Sequence, residues 1–189
     1  MKVLLLNGSN QNDGFSDSIC SMLDKELRSK EHAVEQINLW EKEIGSCLGC
    51  FGCWIKTPGI CVIPDEGLDI AKAVVQSDLV INVSPITFGG YSYELKKTLE
   101  RLIPIISPFF MKINGEVHHK PRYASYPKSI TIGIMSKENK EMADIFKILV
   151  ERNAINMHNP FYKSKVITHS MSKEETRSEM FKMLGEVGI

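Results

Sequence analysis

Four of the five cysteines lie in one fifteen-residue stretch: Cys47-Leu-Gly-Cys50-Phe-Gly-Cys53, then seven residues, then Cys61. Two consecutive C-x-x-C steps bring three thiols within reach of one centre, and the turn at Pro58-Gly59 lets a fourth return to it. Thiols grouped this tightly point to redox or metal chemistry. The fifth, Cys20, falls on the apolar face of a predicted helix and reads as a small buried hydrophobe.

Two other segments could hold a ligand. Asn7-Gly8-Ser9-Asn10-Gln11-Asn12-Asp13-Gly14-Phe15-Ser16 leaves an apolar strand and enters a helix. Gly8 and Gly14 permit tight turns, Ser9, Ser16 and Ser18 offer hydroxyls, and a helix start offers free N–H groups to an anion. No lysine follows as in the P-loop, and the glycine spacing is not the dinucleotide fingerprint, so a monophosphate fits better. The alternative is an ordinary turn with a helix cap at Ser16. In Ser84-Pro85-Ile86-Thr87-Phe88-Gly89-Gly90-Tyr91-Ser92, the glycine pair lets the backbone approach a flat ligand that Phe88 and Tyr91 could border. The alternative there is a helix entry with core aromatics.

The elements that must position these loops alternate strand and helix. Strands are expected at Lys2–Asn7, Ala33–Leu39, Asp78–Val83, Ser129–Met135 and Phe161–Thr168. Helices are expected at Ser16–Glu31, Gly67–Gln76, Tyr91–Ile106, Lys137–Asn153 and Ser172–Leu184, the last with a capping box at Ser172 and Glu175. Ser107–Pro127 shows no clear period and is expected to be a long excursion. This pattern implies a single α/β domain over residues 1–189, a five-stranded doubly wound parallel sheet with helices on both faces. Ligands in such sheets bind at the carboxyl ends of the strands, near Asn7, Val83 and Met135.

The 189 residues are 43% hydrophobic and 24% charged, with 23 basic and 23 acidic side chains. A zero balance argues against a nucleic-acid partner and a polybasic membrane contact. The apolar run in MKVLLLNGSN is too short for a membrane span or a signal-peptide core, so a cytoplasmic location is expected.

NGSNQNDGFS followed by SPITFGGYSYELK resembles the flavodoxin-like NADPH-dependent FMN reductases, and CLGCFGCWIKTPGICVIPDE resembles the cysteine segment of their iron–sulfur flavoprotein relatives. The resemblance runs from residue 1 to about residue 135. It implies a flavodoxin-like fold and FMN, with Ser9, Asn10, Gly14, Phe15 and Ser16 around the phosphate. Pro85, Ile86, Thr87, Phe88 and Gly89 would line the isoalloxazine, with Ser136 as a further contact. Asn10 stands where many relatives carry proline. It also implies that Cys47, Cys50, Cys53 and Cys61 match members that assemble a four-iron four-sulfur cluster on four thiolates. A metal-free loop beside the flavin and a zinc site are the alternatives, zinc being disfavoured because structural zinc usually takes two separated ligand pairs.

His118, His119 and Arg122 form a last cluster. They could meet a nicotinamide phosphate, but adjacent residues on a strand point to opposite faces, and a surface or subunit-contact loop is the better expectation. His32, His158 and His169 support no catalytic reading, and no nucleophile–base constellation is recognisable. The function implied is an NAD(P)H oxidoreductase in which electrons pass through FMN to a small acceptor such as a quinone, flavin or metal, in a homo-oligomer. The competing reading is a non-enzymatic electron carrier with a four-cysteine cluster.

Overall fold

The computed structural model describes residues 1–189. Five strands form one parallel sheet: β1 (Lys2–Asn7), β2 (Ala33–Asn38), β3 (Leu79–Pro85), β6 (Lys128–Met135) and β7 (Tyr162–Thr168), in the order β2-β1-β3-β6-β7. This is the flavodoxin-like strand order, and it reverses between β1 and β3.

Strand alternation divides the core. Val3 and Leu5 point to one face with Ile81 and Val83, where α1 (Gly14–Ser29) adds Ile19, Leu23 and Leu27 and α6 (Lys173–Val187) adds Met180, Met183 and Leu184. Leu4 and Leu6 point to the other face. They meet Ile70 and Val74 of α3 (Gly67–Gln76), Leu95 of α4 (Tyr93–Glu100) and Phe146 and Val150 of α5 (Lys140–Asn156). Each such side chain, taken fully from water, contributes about 1.5–3 kcal/mol, so the sheet is a rigid platform for the loops at its carboxyl edge.

The expected strands and helices are present, with three differences. The helix expected over Tyr91–Ile106 stops at Glu100, and a 3-10 turn at Ile103–Ile105 carries Pro104. The segment expected to be an irregular excursion is an antiparallel hairpin, β4 (Ile106–Ile113) with β5 (Glu116–Pro121). Its two-residue turn is Asn114-Gly115, with φ of 50° and 84°. Positive φ at both positions suits the right-handed twist of the strands, which is why Asn-Gly is a strong hairpin signal. The third difference is α2 (Gly52–Ile55), a single helical turn inside the cysteine segment.

Candidate functional site

The β1–α1 loop is organised from Asn7, whose buried side chain reaches both ways. Its Nδ2 donates to Asp17 (2.9 Å), and its Oδ1 accepts from the Ser9 hydroxyl (2.8 Å) and the Ser9 amide (3.2 Å). Gly8 donates its N–H to the Val83 carbonyl at 2.8 Å, closing the crevice between β1 and β3. Only glycine fits there, since a Cβ on Gly8 would lie 2.7 Å from the Leu95 Cβ and 3.1 Å from the Ser92 Oγ. Ser92 fastens the two loops together. Its hydroxyl donates to the Gly8 carbonyl and accepts from the Leu95 amide as the cap of α4, while its own amide donates to the Ser84 hydroxyl at 2.9 Å.

The cap of α1 is Asp13, not Ser16. The Asp13 carboxylate accepts from the Ser16 hydroxyl at 2.6 Å and the Ser16 amide at 3.3 Å. Those donors at a helix N-terminus suit an anion, and the carboxylate stands in for one. The residues therefore fit a phosphate, provided Asp13 yields Ser16. Ser9 and Ser16 are buried, Asn10 and Gly14 exposed. The Phe15 ring packs on His169 at 4.3 Å between centroids, which leaves the Phe15 backbone to face the loop.

Beyond β3, Thr87 and Gly90 exchange two backbone hydrogen bonds of 3.0 and 2.8 Å, closing a tight turn over Phe88 and Gly89. Both central residues have positive φ, 51° at Phe88 and 76° at Gly89. For Phe88 this is a strained conformation, and its ring is 92% exposed. The Phe88 and Gly89 amides take part in no hydrogen bond; Phe88 is exposed, and Gly89 is buried against Ile145. Pro85 and Ile86 are half-buried at its wall. Ser136, exposed just after β6, lies at the same carboxyl edge of the sheet. The expected flavin residues thus fall on the loops at the carboxyl ends of β1, β3 and β6. Asn7, Asp13, Ser84 and Ser92, which tie those loops together, were not singled out by type.

The four cysteines border one pocket of about 20 Å³, together with Glu100, Arg101, Ile103 and Pro104. Cys53 is buried and Cys50 exposed, with Cys47 and Cys61 between. Burial pushes the Cys53 thiol up, and the neighbouring Cys61, Cys47 and Cys50 push it the same way. The set has the chemistry of a four-thiolate ligand group, although no three His, Cys, Asp or Glu side chains converge to hold a metal ion. The pocket meets the last turn of α4, whereas Ser92, the cap of that helix, meets Gly8, about 12 Å away along the helix axis at 1.5 Å per residue. The Trp54 Nε1–H is shared between the Ile103 and Ile106 carbonyls at 3.2 and 3.0 Å.

Behind the thiols, Arg101 is only 2% exposed and forms a bidentate pair with Asp65 at 2.7 and 2.8 Å. Burial opposes the charge on Asp65, but the hydrogen bonds from Arg101 and from the Gly45 and Gly67 amides outweigh it and hold the carboxyl below its usual range.

The His118, His119 and Arg122 cluster supports the hairpin. His118 pairs with Glu116 at 3.1 Å, the His119 ring contacts the Ser107 carbonyl at 2.8 Å, and the Arg122 Nε–H donates to the Pro104 carbonyl at 2.8 Å. Cys20 is fully buried, its thiol pushed up to about 12 by burial and by Asp17 and Asp13. No helix is long and apolar enough to cross a membrane.

Known proteins resemble the chain in sequence and in fold. An iron-sulfur flavoprotein of Methanocaldococcus jannaschii is 32% identical over 119 residues, 62% of this chain and 61% of that protein. One from Archaeoglobus fulgidus is 30% identical over 104 residues, 55% of this chain and 46% of that protein. The chain thus spans about half to three-fifths of the length of these relatives. Among solved structures, the NAD(P)H:quinone oxidoreductase from Methanothermobacter marburgensis shares the fold at a TM-score of 0.70 and 11% identity, covering 97% of this chain and 92% of that one. An FMN-dependent NADH-azoreductase from Bacillus anthracis, in complex with FMN, does so at 0.62 and 16%, covering 99% and 97%. The model of the NADPH-dependent FMN reductases matches residues 1–126, two thirds of the chain, and the chain belongs to that family.

Proposed function

We propose that this chain is an FMN-dependent NAD(P)H oxidoreductase that passes electrons to a small acceptor of the quinone or azo class. The observation that carries this reading is the pairing of an anion-accepting helix start at Ser16 with two unbonded amides at Phe88 and Gly89. Both lie where the strand order reverses and are held together through Ser92. Family membership and the oxidoreductase activities of the fold neighbours support it.

In this reading the Ser16 amide and hydroxyl take the phosphate once Asp13 turns to solvent, with Ser9 completing the rim. The Phe88 and Gly89 amides hold the polar edge of the ring system, and Pro85 and Ile86 exclude water from one side. When bound, FMN supplies hydride acceptance and its release as one or two electrons, so the protein needs no acid–base residue of its own. The test is FMN titration of the purified chain, followed by NADH and NADPH oxidation with a quinone present. Saturable binding and oxidation well above the free-flavin rate are expected. An FMN-saturated protein that oxidises neither nucleotide above that background overturns the reading.

A second reading rests on the cysteine pocket, which would hold a four-iron four-sulfur cluster that relays electrons to a partner. The support is the four thiols bordering one pocket and the similarity to iron-sulfur flavoproteins. Anaerobic reconstitution with iron and sulfide tests it; fewer than about one iron per chain rejects a four-thiolate cluster.

A further inference from the structure

Arg101 is the largest fully buried side chain of the molecule, and its position is not one that the sheet requires. It follows the last turn of α4 and turns toward the cysteine segment. A guanidinium carries five N–H donors. Two go to Asp65; a further contact from Nη1 reaches the Gly45 carbonyl at 2.7 Å, and one from Nη2 the Ile63 carbonyl at 3.4 Å. Gly45 precedes Cys47 by two residues and Ile63 follows Cys61 by two, so one side chain ties both ends of the cysteine segment to α4. The fifth donor, Nε–H, is buried without a partner. Such an orphan is costly and calls for an explanation. Arg101 lines the same pocket as the four cysteines, and Cys61 stands beside it.

Glycines make this arrangement possible. A Cβ on Gly67 would lie 2.9 Å from the Asp65 Oδ1 and 3.2 Å from the Arg101 Nη2, so the pair is packed directly against backbone. A surface ion pair needs no such accommodation.

We infer that Arg101, oriented by Asp65, is the positioning residue of the four-cysteine site: it fixes both ends of the segment and presents a permanent positive charge and one unspent N–H to sulfur. This rests on the cluster reading above. Thiolate ligands and sulfide bring net negative charge to a half-buried pocket. A fixed cation and a hydrogen bond to sulfur stabilise that charge, and such contacts are among the means by which proteins set cluster potentials. Asp65 takes no part in ligation; it holds both Nη groups and leaves the Nε–H unspent.

The test is anaerobic reconstitution of the full chain with ferrous iron and sulfide, comparing wild type, Arg101→Lys, Arg101→Met and Cys50→Ser. Iron and FMN content, loss of iron to a chelator and the midpoint potential of the cluster are measured. Arg101→Lys keeps the charge and the fold but loses the fork and the Nε–H. It should bind iron, lose it to the chelator about 10–100-fold faster, and show a more negative midpoint. Arg101→Met should retain FMN and hold no iron after gel filtration, like Cys50→Ser. Wild-type lifetime and midpoint in Arg101→Lys would overturn the inference while leaving the cluster reading intact. Absence of iron from the wild type would overturn the cluster reading itself, and this inference with it.

Discussion

The β1–α1 loop and the cysteine segment solve opposite electrostatic problems. In the first, a carboxylate, Asp13, occupies donors at a helix start that suit an anion, so the loop is satisfied before any ligand arrives. In the second, a guanidinium, Arg101, sits buried behind four thiols with one donor unspent. The first loop is fixed by strand pairing and close packing on the sheet. The second is a long insertion between β2 and α3, held by the Arg101–Asp65 and Lys42–Glu66 pairs and the Trp54 indole. A site that is pre-closed by its own side chain must be opened by its ligand; a site with an excess donor is completed by one.

Breaking the second region should have the larger effect. Asp65→Ala leaves a buried guanidinium unpaired and is expected to cost about 3–5 kcal/mol, measured by urea unfolding with tryptophan fluorescence. Acid offers the same test without mutation. The folded Asp65 carboxyl lies below its ordinary value, so the pair's contribution is present above the usual carboxylate range. It is lost as pH falls through the lowered folded value. Asp65→Asn should remove that part of the acid dependence; an unchanged acid limb would mean that the pair does not hold the segment.

Gly8→Ala attacks the packed region. The new Cβ meets Leu95 at 2.7 Å, and a loss of about 1–3 kcal/mol is expected together with loss of FMN binding. Normal FMN affinity in this variant would place the cofactor elsewhere.

Asp13→Asn sharpens the contrast in the other direction. Asparagine caps a helix about as well as aspartate, so stability should hold. Removing the negative charge from the helix start should tighten FMN by about 1–2 kcal/mol, read by fluorescence titration. Weaker binding would mean that Asp13 contributes to the site instead of guarding it. The smallest effect is expected at Phe88. Phe88→Gly relieves a positive-φ strain of about 1 kcal/mol and should slightly stabilise the fold while weakening FMN binding.

The sheet was legible because buried parallel strands such as Val3–Leu6 and Leu79–Val83, apolar but for Asn82, are near-continuous apolar runs bounded by turn residues. The flavin loops were legible because their glycines and hydroxyls sit directly after those runs. The hairpin was missed although its signal was present. Asn114-Gly115 marked the turn, but Pro108 and Pro121 and a register shift between Ile106 and Phe110 broke the alternation on either side. The α4 terminus was overrun because Leu99 and Leu102 continue the apolar spacing past Glu100. Asp13 was not singled out because a cap residue is assigned by position, and Ser16 fitted the same pattern three residues later. Arg101 and Asp65 were invisible for a different reason. A charged residue in sequence reads as solvated, and only the fold brings two of them, thirty-six positions apart, into one buried pair.

The backbone hydrogen bonds of residues 51–60 carry a consequence for motion. Trp54 and Ile55 bond to Phe51, Lys56 and Thr57 to Gly52, Gly59 to Cys53 and Ile60 to Thr57, so every one closes within the segment. None is shared with the sheet. The stretch can therefore lift away as a unit without unzipping any strand, once the side-chain tie of Trp54 lets go. In amide exchange it should behave as a separate, low-energy opening unit, its protected protons leaving together and well before those of β1 and β3.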